Sequence, residues 1–284
     1  MEFGATTLPL TGWMADPQQP DGSRQHRLAA MRQLISGYGL SAIELTLDLA
    51  MLFPTVFDEG FYASVAELQQ DLGFVCTVHL PFLWVDPASL NEAIRQASVQ
   101  SLRRAVELSR AVDVQTYVLH LWGLATGQIV SAFEHPTQRQ AIHAALAAQA
   151  GRSLAEVCEL ADPRDVCVEN LEALPFDLCL PLVEKVGTGI CLDVGHLAWQ
   201  SDDELAFLAR HGQRIREVHL HDVTRVPGEP LPIIRDHLAL GRGEIEIDAF
   251  LQSLNGSGFE GAVILELNSK ADLEQSLQRL EAWL

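Results

Sequence analysis

Lysine is almost absent from this sequence: only Lys185 and Lys270 occur among 284 residues. With 19 basic and 38 acidic residues, the formal net charge is −19. A field of this sign repels phosphate backbones, so the composition argues against nucleic-acid binding. It does not exclude a small phosphorylated ligand that a few local arginines hold.

Paired cysteines and long apolar runs are missing as well. The five cysteines show no CxxC spacing, and three lie inside apolar runs (Cys76, Cys167 and Cys191), which is typical of small buried side chains in a reducing compartment. No apolar stretch is long enough to span a membrane, and the first residues do not resemble a signal peptide. We therefore expect a cytoplasmic protein with a small-molecule substrate and no membrane or nucleic-acid partner; the oligomeric state stays open.

Short apolar runs alternate with segments of helical spacing along the whole chain, which predicts eight strand–helix units. The predicted strands are Phe3–Thr7, Ala42–Leu47, Cys76–Leu80, Gln115–Leu121, Asp165–Leu171, Gly189–Asp193, Arg216–Asp222 and Gly261–Leu267. Such alternation implies parallel pairing, and eight units in this length favour an α/β fold, a (β/α)₈ TIM barrel with residues 1–284 as one domain. A doubly wound open sheet is the alternative, but the first turn lacks a glycine-rich phosphate motif.

Two connections are unusually long. The segments Trp122–Pro136 and Thr224–Gly243 are predicted to be loops. Loops of this size tend to be lids or binding loops, so we expect them to set substrate specificity.

Acids and histidines follow the predicted strands, at the end of a barrel where functional side chains lie. They are Glu44, His79, His120, Glu169, Asp193 with His196, His219 with His221, Glu266, and Asp236 with His237 in the second long loop. Each alone has a structural explanation, such as a helix-capping aspartate at Asp193. Together they would repel one another or lie poorly solvated unless cations neutralised them. Mixed imidazole and carboxylate ligands without thiolate favour Zn²⁺, Mn²⁺ or Fe²⁺, so the sequence predicts a divalent metal site.

Four segments resemble, in order, the metal motifs of the xylose isomerase-like barrel superfamily. They are Cys167-Val-Glu169-Asn-Leu171, Leu192-Asp193-Val-Gly-His196, Val218-His219-Leu-His-Asp222 and Ile264-Leu-Glu266. This superfamily includes sugar isomerases, epimerases and the endonuclease IV type of zinc phosphodiesterase. The resemblance covers nearly the whole chain and implies a core metal bound by Glu169, Asp193, His219 and Glu266.

The zinc hydrolase branch of that superfamily implies further ions. His79 and His120 would hold a second ion with Glu169 as a bridge, and His196 and His237 would match ligands of a third. That branch also has an aspartate two residues before the last histidine, where this sequence has Arg235. Segments such as Tyr117-Val-Leu-His120-Leu and Arg235-Asp-His-Leu-Ala-Leu240 resemble the cobamide-remodelling phosphodiesterases, which cut the phosphodiester that joins the nucleotide loop to the corrinoid.

The first functional hypothesis is therefore a zinc-dependent phosphodiester hydrolase. A zinc-bound water would attack phosphorus, and the predicted catalytic residues are Glu169, Glu266, His196 and His221. The loop arginines Arg225, Arg235 and Arg242 would contact phosphate, unless they are ordinary solvated residues.

The alternative is a sugar or sugar-phosphate isomerase or epimerase that uses Mn²⁺ or Mg²⁺. Glu169 and Glu266 would face each other across the substrate as acid and base, while His79 and His120 bind hydroxyl groups. Metal content separates the hypotheses, since two or more zinc ions favour hydrolysis. A non-catalytic binding barrel is a third possibility.

Aromatic side chains near strand ends would wall a pocket or merely pack the loops; these are Phe82, Trp84, Trp122 and Trp199.

Overall fold

Eight short strands pair in parallel and close into a barrel in the computed structural model of this chain, which describes residues 1–123, 126, 130, 135–172, 174–200, 202–226 and 233–284. The barrel strands are β1 (Glu2–Thr6), β2 (Ala42–Thr46), β3 (Val75–His79), β4 (Val114–Leu119), β5 (Val166–Glu169), β6 (Gly189–Asp193), β7 (Ile215–Leu220) and β10 (Ala262–Leu265). Around the barrel their order is β1-β10-β7-β6-β5-β4-β3-β2. The predicted (β/α)₈ barrel is confirmed.

Continuous apolar runs form these strands because both faces of the barrel wall are covered. Every residue of β5, β6 and β10 is buried. Such strands lack the polar alternation of half-exposed sheets, as expected when helices cover the outside and side chains fill the inside.

Helices follow the strands and pack outside the barrel. They span Leu8–Thr11, Pro20–Arg32, Asp48–Leu52, Glu59–Leu72, Glu92–Leu108, Pro136–Val157, Leu180–Val186, Val194–Trp199, Glu204–His211, Ile247–Gly256 and Lys270–Arg279, with a π-helical turn at Gln33–Gly37 and 3₁₀ turns at Ser109–Ala111, Pro163–Asp165, Phe176–Leu178 and Gly212–Arg214. Of the described helices, none combines the length and apolar character needed to cross a membrane.

The main departure from the predicted elements is a hairpin in the second long loop. Strand β8 (Asp222–Val226) pairs antiparallel with β9 (Ile233–Leu238) outside the barrel. The prediction is therefore wrong in two respects. The seventh barrel strand does not extend to Asp222, and residues 224–226 and 233–238 of the predicted loop 224–243 form strands. The barrel strand ends at Leu220, the chain turns at His221, and Asp222 pairs with Leu238 instead.

Three short helices form just after barrel strands β1, β2 and β6. These are Leu8–Thr11, Asp48–Leu52 and Val194–Trp199. The first long loop is covered only in part, because residues 124–125, 127–129 and 131–134 lie outside the described residues. The expectation that it is a lid or binding loop that sets substrate specificity stays a prediction.

Candidate metal centre

The C-terminal ends of the barrel strands bring the predicted acids and histidines together. His79, Glu169 and Asp193 are the last residues of β3, β5 and β6. Asp193 is paired in register with His219 of β7, so their side chains are neighbours. His120 and Glu266 directly follow β4 and β10.

Glu169 is the centre of this cluster because each of its oxygens faces two imidazoles. Oε2 lies 2.8 Å from His120 Nε2 and 3.4 Å from His79 Nε2. Oε1 lies 3.3 Å from His196 Nδ1 and 3.4 Å from His219 Nδ1. A carboxylate placed in this way is able to bridge two cation positions.

The electrostatics of the cluster require positive charge. Burial raises the pKa of the Glu169 carboxyl, but charge on His120 and His219 outweighs it and holds this pKa well below its usual range. Burial lowers the pKa of His79, but its contact with Glu169 and the charge of Glu44 outweigh burial and raise it to about 10. The carboxylates thus stay ionised only where protons on the imidazoles, or a metal in their place, balance them.

The donor atoms fit a divalent metal. Four groups of three residues each bring one ligand atom per residue to within 4.8 Å of one another: His79, His120 and Glu169; Glu169, Asp193 and His196; Glu44, His219 and Glu266; and His221, His237 and Glu266. His219 Nδ1 is buried and has no hydrogen-bond partner among the described residues. An orphaned imidazole nitrogen beside carboxylates is what a nitrogen–oxygen metal site needs.

Asp193 combines the two roles that its position allows. One oxygen, Oδ1, accepts the backbone N–H of His196 at 2.7 Å and so caps the helix Val194–Trp199. The other, Oδ2, lies 3.1 Å from His221 Nε2 and 3.6 Å from His196 Nδ1. The structural and the ligand interpretations of Asp193 are therefore compatible, because a carboxylate has two oxygens.

Asn170 is a site residue to which sequence reasoning gave no role. Its side chain donates to the backbone carbonyl of Asp193 and accepts the backbone N–H of Asp193, both at 2.8 Å. It also lies within the segment that resembles the metal motif around Glu169, and this position was the only signal for it. Asn170 fixes the backbone that carries Asp193.

His221 occupies a different place from the other predicted catalytic residues. Its ring is fully buried and is absent from the described cavity lining. A Cβ on Gly195 would overlap the ring, so only glycine permits this packing. Nδ1 accepts the backbone N–H of His237 at 2.9 Å, which leaves Nε2 to donate to Asp193. This geometry suits a residue that orients Asp193 and does not touch substrate.

His237 closes the site from the hairpin. Its ring stacks on His221 with centroids 4.3 Å apart, and its backbone has a φ of 53°, which is strained for a residue with a side chain. Nδ1 lies 3.1 Å from Asp236 Oδ1, and Nε2 lies 3.5 Å from Glu266 Oε2. Burial lowers the pKa of His237, but these two carboxylates raise it to about 10.

A cavity of about 620 Å³ opens above these groups. Glu169, Glu266 and four histidines line it together with aromatic side chains; the histidines are His79, His120, His196 and His237, and the aromatic residues are Trp13, Phe82, Trp122 and Trp199. Trp13 was missed by the sequence reasoning. Trp84 is 78% exposed and does not line the cavity, so its predicted place in the wall is wrong.

The described cavity wall contains no lysine or arginine. The three loop arginines are placed elsewhere: Arg225 donates to the carbonyl of Ala198, Arg242 pairs with Asp272, and Arg235 is exposed. In the sequence, residues 124–134 and 227–232 also contain no lysine or arginine. A phosphate in this cavity would have to rely on imidazolium or metal for its countercharge.

Known proteins resemble this chain over most of its length. The family described as xylose isomerase-like TIM barrel matches residues 32–283. Two uncharacterised proteins of Methanocaldococcus jannaschii are each 25% identical to this chain. The first matches over 238 residues, which are 77% of this chain and 73% of the relative; the second matches over 223 residues, which are 76% of this chain and 80% of the relative.

Three solved structures share the fold. A D-tagatose 3-epimerase-like protein has 20% identity and a TM-score of 0.75, covering 100% of this chain and 97% of that chain. A D-psicose 3-epimerase in the presence of D-fructose has 15% identity and a TM-score of 0.66, with 98% and 90% covered. A D-allulose 3-epimerase from Methylomonas sp. in complex with D-allulose has 18% identity and a TM-score of 0.67, with 100% and 90% covered. At these identities the likeness concerns the fold alone.

Proposed function

Because this chain belongs to the xylose isomerase-like TIM barrel family, we propose that it is a divalent-metal-dependent isomerase or epimerase of a small sugar. The observation that carries this proposal is the pair of carboxylates that lie close to one imidazole nitrogen. Glu169 Oε1 lies 3.4 Å and Glu266 Oε2 lies 3.6 Å from His219 Nδ1, and both glutamates line the cavity. Two carboxylates in such an arrangement are suited to remove a proton and return it.

Glu169, Asp193, His219 and Glu266 are the proposed metal ligands. When bound there, a divalent ion such as Mn²⁺, Mg²⁺ or Zn²⁺ supplies Lewis acidity to a carbonyl and the hydroxyl beside it. His221 and Asn170 keep Asp193 in place through the contacts described above.

The other residues of the cavity have separate proposed roles. Glu169 and Glu266 exchange the proton on the carbon next to the carbonyl. His79, His120 and His196 bind substrate hydroxyls, since their ring nitrogens lie at the cavity wall. Trp13, Phe82 and Trp122 cover the sugar and exclude water, which strengthens the polar contacts inside.

We propose an uncharged sugar as the substrate in preference to a sugar phosphate. The lack of lysine and arginine in the described cavity wall supports this choice. The D-psicose 3-epimerase was solved in the presence of D-fructose and the D-allulose 3-epimerase in complex with D-allulose, and both of these sugars are free ketoses. We further propose that residues 1–284 act as one catalytic domain.

One observation favours the phosphodiesterase as a second candidate. Glu169 Oε2 and the nitrogens of His79 and His120 form a separate group of potential ligands on the opposite oxygen from His219. A second ion there, with Glu169 as the bridge, would suit zinc-dependent hydrolysis of a phosphodiester such as the nucleotide loop of a cobamide.

Metal analysis followed by two assays tests these proposals. Purified protein is measured for bound metal, reloaded with Mn²⁺ or Zn²⁺, and incubated in D₂O with D-fructose, D-tagatose or D-allulose. We expect about one ion per chain and deuterium incorporation next to the carbonyl, detected by NMR. Two or more zinc ions, with cleavage of bis(p-nitrophenyl) phosphate or a cobamide and no deuterium incorporation, would reverse the order of the two candidates.

A further inference from the structure

A buried carboxylate outside the proposed ligand set faces the far side of His219. Glu44 of β2 is 1% exposed, and its Oε2 lies 3.2 Å from Nε2 of the fully buried His219. Strands β2 and β7 are not neighbours in the barrel, so this contact crosses the interior and does not follow from strand pairing. Burying a carboxylate is costly unless it makes a specific interaction, and His219 is its described hydrogen-bond partner.

The two nitrogens of His219 meet different surroundings. Nε2 faces Glu44, whereas Nδ1 lies 3.4 Å from Glu169 Oε1 and 3.6 Å from Glu266 Oε2 and has no hydrogen-bond partner among the described residues. A carboxylate oxygen accepts a hydrogen bond from a ring N–H, and the contact between Glu44 and Nε2 then requires the proton of the ring to lie on Nε2. In a neutral imidazole the other nitrogen then holds a lone pair, and here that nitrogen is Nδ1.

We propose that Glu44 is a positioning residue that keeps the proton on Nε2 of His219 and directs the Nδ1 lone pair toward Glu169 and Glu266. The consequence for metal affinity rests on the proposed function, but the hydrogen bond to Glu44 is a property of the chain itself. A carboxylate behind a ligating histidine fixes the ring and raises its basicity, and its loss typically weakens metal binding by about 10- to 100-fold.

The competing explanation is that Glu44 is itself a ligand. Ligand atoms of Glu44, His219 and Glu266 lie within 4.8 Å of one another. An ion between Glu44 and Nε2, however, would lie on the interior side, where neither Glu44 nor His219 belongs to the described cavity lining. The positioning role needs no ion at that place, and the two explanations predict opposite behaviour for an amide at position 44.

Histidine-labelled protein and two variants test the inference. In wild-type protein, ¹⁵N NMR is expected to show the His219 Nε2–H signal in both the metal-free and the Zn²⁺-loaded state. In the metal-free state, Glu44→Ala should lose this signal, and the variant should bind Zn²⁺ about 10- to 100-fold more weakly in a competition titration. Glu44→Gln retains an acceptor oxygen, so it should keep the signal and most of the affinity.

Glu217→Gln is the matched control. Glu217 is another fully buried carboxyl of the barrel interior, but it accepts from Thr116 and not from His219, so the zinc affinity and the signal should not change. Circular dichroism checks that each variant folds, and Glu44→Gln alone decides the matter if Glu44→Ala does not fold.

Two results would overturn the inference. One is a folded Glu44→Gln variant that has lost zinc altogether, which would make Glu44 a ligand. The other is a folded variant at position 44, alanine or glutamine, that shows a wild-type zinc affinity without the Nε2–H signal. Failure of wild-type protein to bind any divalent ion would refute the proposed function instead, while the NMR signal would still report on Glu44.

Discussion

Asn170 shows how one side chain fixes the backbone beneath a predicted ligand. It makes both of its described hydrogen bonds to the main chain of Asp193, and it is buried. Asn170→Ala removes both partners at once, and each buried group left unpaired costs about 1–3 kcal/mol. We expect urea denaturation to show a loss of about 2–4 kcal/mol, whereas exposed Asn255→Ala should change stability by less than about 0.5 kcal/mol. Equal stabilities of the two variants would contradict this role.

The pKa of Glu217 predicts that this single residue makes the stability of the protein depend on pH. Burial and the charge of Glu44 raise its pKa to about 8, above the ordinary value near 4.5. The folded state therefore holds this proton more tightly than the unfolded chain, and stability falls as pH rises from about 4.5 to 8.

Glu217→Gln cannot ionise, and its amide oxygen still accepts from Thr116. Relative to wild type, its free energy of unfolding should rise across that pH window by at most about 1.4 kcal/mol per pH unit and level off above pH 8. Urea denaturation at several pH values measures this, with exposed Glu260→Gln as the control. A difference that does not vary with pH would show that Glu217 titrates normally.

At the scale of elements, one buried carboxylate ties the hairpin to the segment that follows it, residues 239–246. Asp222 accepts four backbone N–H groups: those of Val223 and Ile245 on Oδ1, at 2.9 and 3.1 Å, and those of Gly241 and Gly243 on Oδ2, at 2.9 and 2.7 Å. A Cβ on Gly243 would overlap this carboxylate, so glycine is required for the close approach. The hairpin carries His237, and Asp222 thereby helps to close the site.

Asp222→Asn should therefore destabilise the protein more than an ordinary capping substitution. The amide places an NH₂ group against two backbone donors, and hydrogen bonds to a charged group are worth about 1.5–3 kcal/mol each. We expect a loss of about 3 kcal/mol and faster proteolysis of the hairpin. Asp203→Asn is the matched control, because Asp203 accepts one N–H at an exposed helix start, where asparagine serves equally well. Comparable losses in both variants would mean that Asp222 is only a local cap.

Short elements at the mouth were the part of the structure that sequence patterns failed to predict. The sequence pattern placed His221 with His219 at the end of the seventh strand, but the strand ends at Leu220 and the chain turns, so the buried His221 ring contacts Asp193 and does not line the cavity. The hairpin was missed because its strands contain charged residues and no continuous apolar run, and because they are joined by a segment with three prolines, Pro227, Pro230 and Pro232. Turns of this kind depend on contacts with the rest of the fold, which local patterns do not contain.

The whole barrel, by contrast, was predictable from the sequence. Parallel strands covered on both faces are continuously apolar, so apolar runs such as those before Glu169 and Asp193 can be recognised as barrel strands in the sequence. Closure of the barrel then brings the residue at each strand end to one mouth, which is why the predicted ligands converge. Contacts across the interior, such as Glu44 with His219, depend on three-dimensional register and were not predictable.

The balance of carboxylates and histidines at the C-terminal end of the barrel predicts how the stability of the whole molecule depends on pH and on bound metal. In metal-free protein, contacts with carboxylates raise the pKa values of His79 and His237 to about 10, against the opposing effect of burial. Raised histidine pKa values contribute stability that is complete below about pH 6.5 and is lost as pH rises toward 10. A divalent ion bound by Glu169 and Glu266 would supply the positive charge that these protons otherwise provide, so the stability of loaded protein should depend less on the protonation of His79 and His237.

We therefore expect chelation to lower Tm at every pH, and by more at pH 9 than at pH 6. Added Mn²⁺ at about 100 times its dissociation constant should restore about 2.7 kcal/mol through mass action. Far-UV circular dichroism should stay unchanged on chelation, because the barrel strands are buried independently of the mouth. Scanning calorimetry of chelated and loaded protein between pH 6 and 9 makes the comparison. Parallel pH profiles for the two forms would mean that the ion does not neutralise the carboxylates that face His79 and His237.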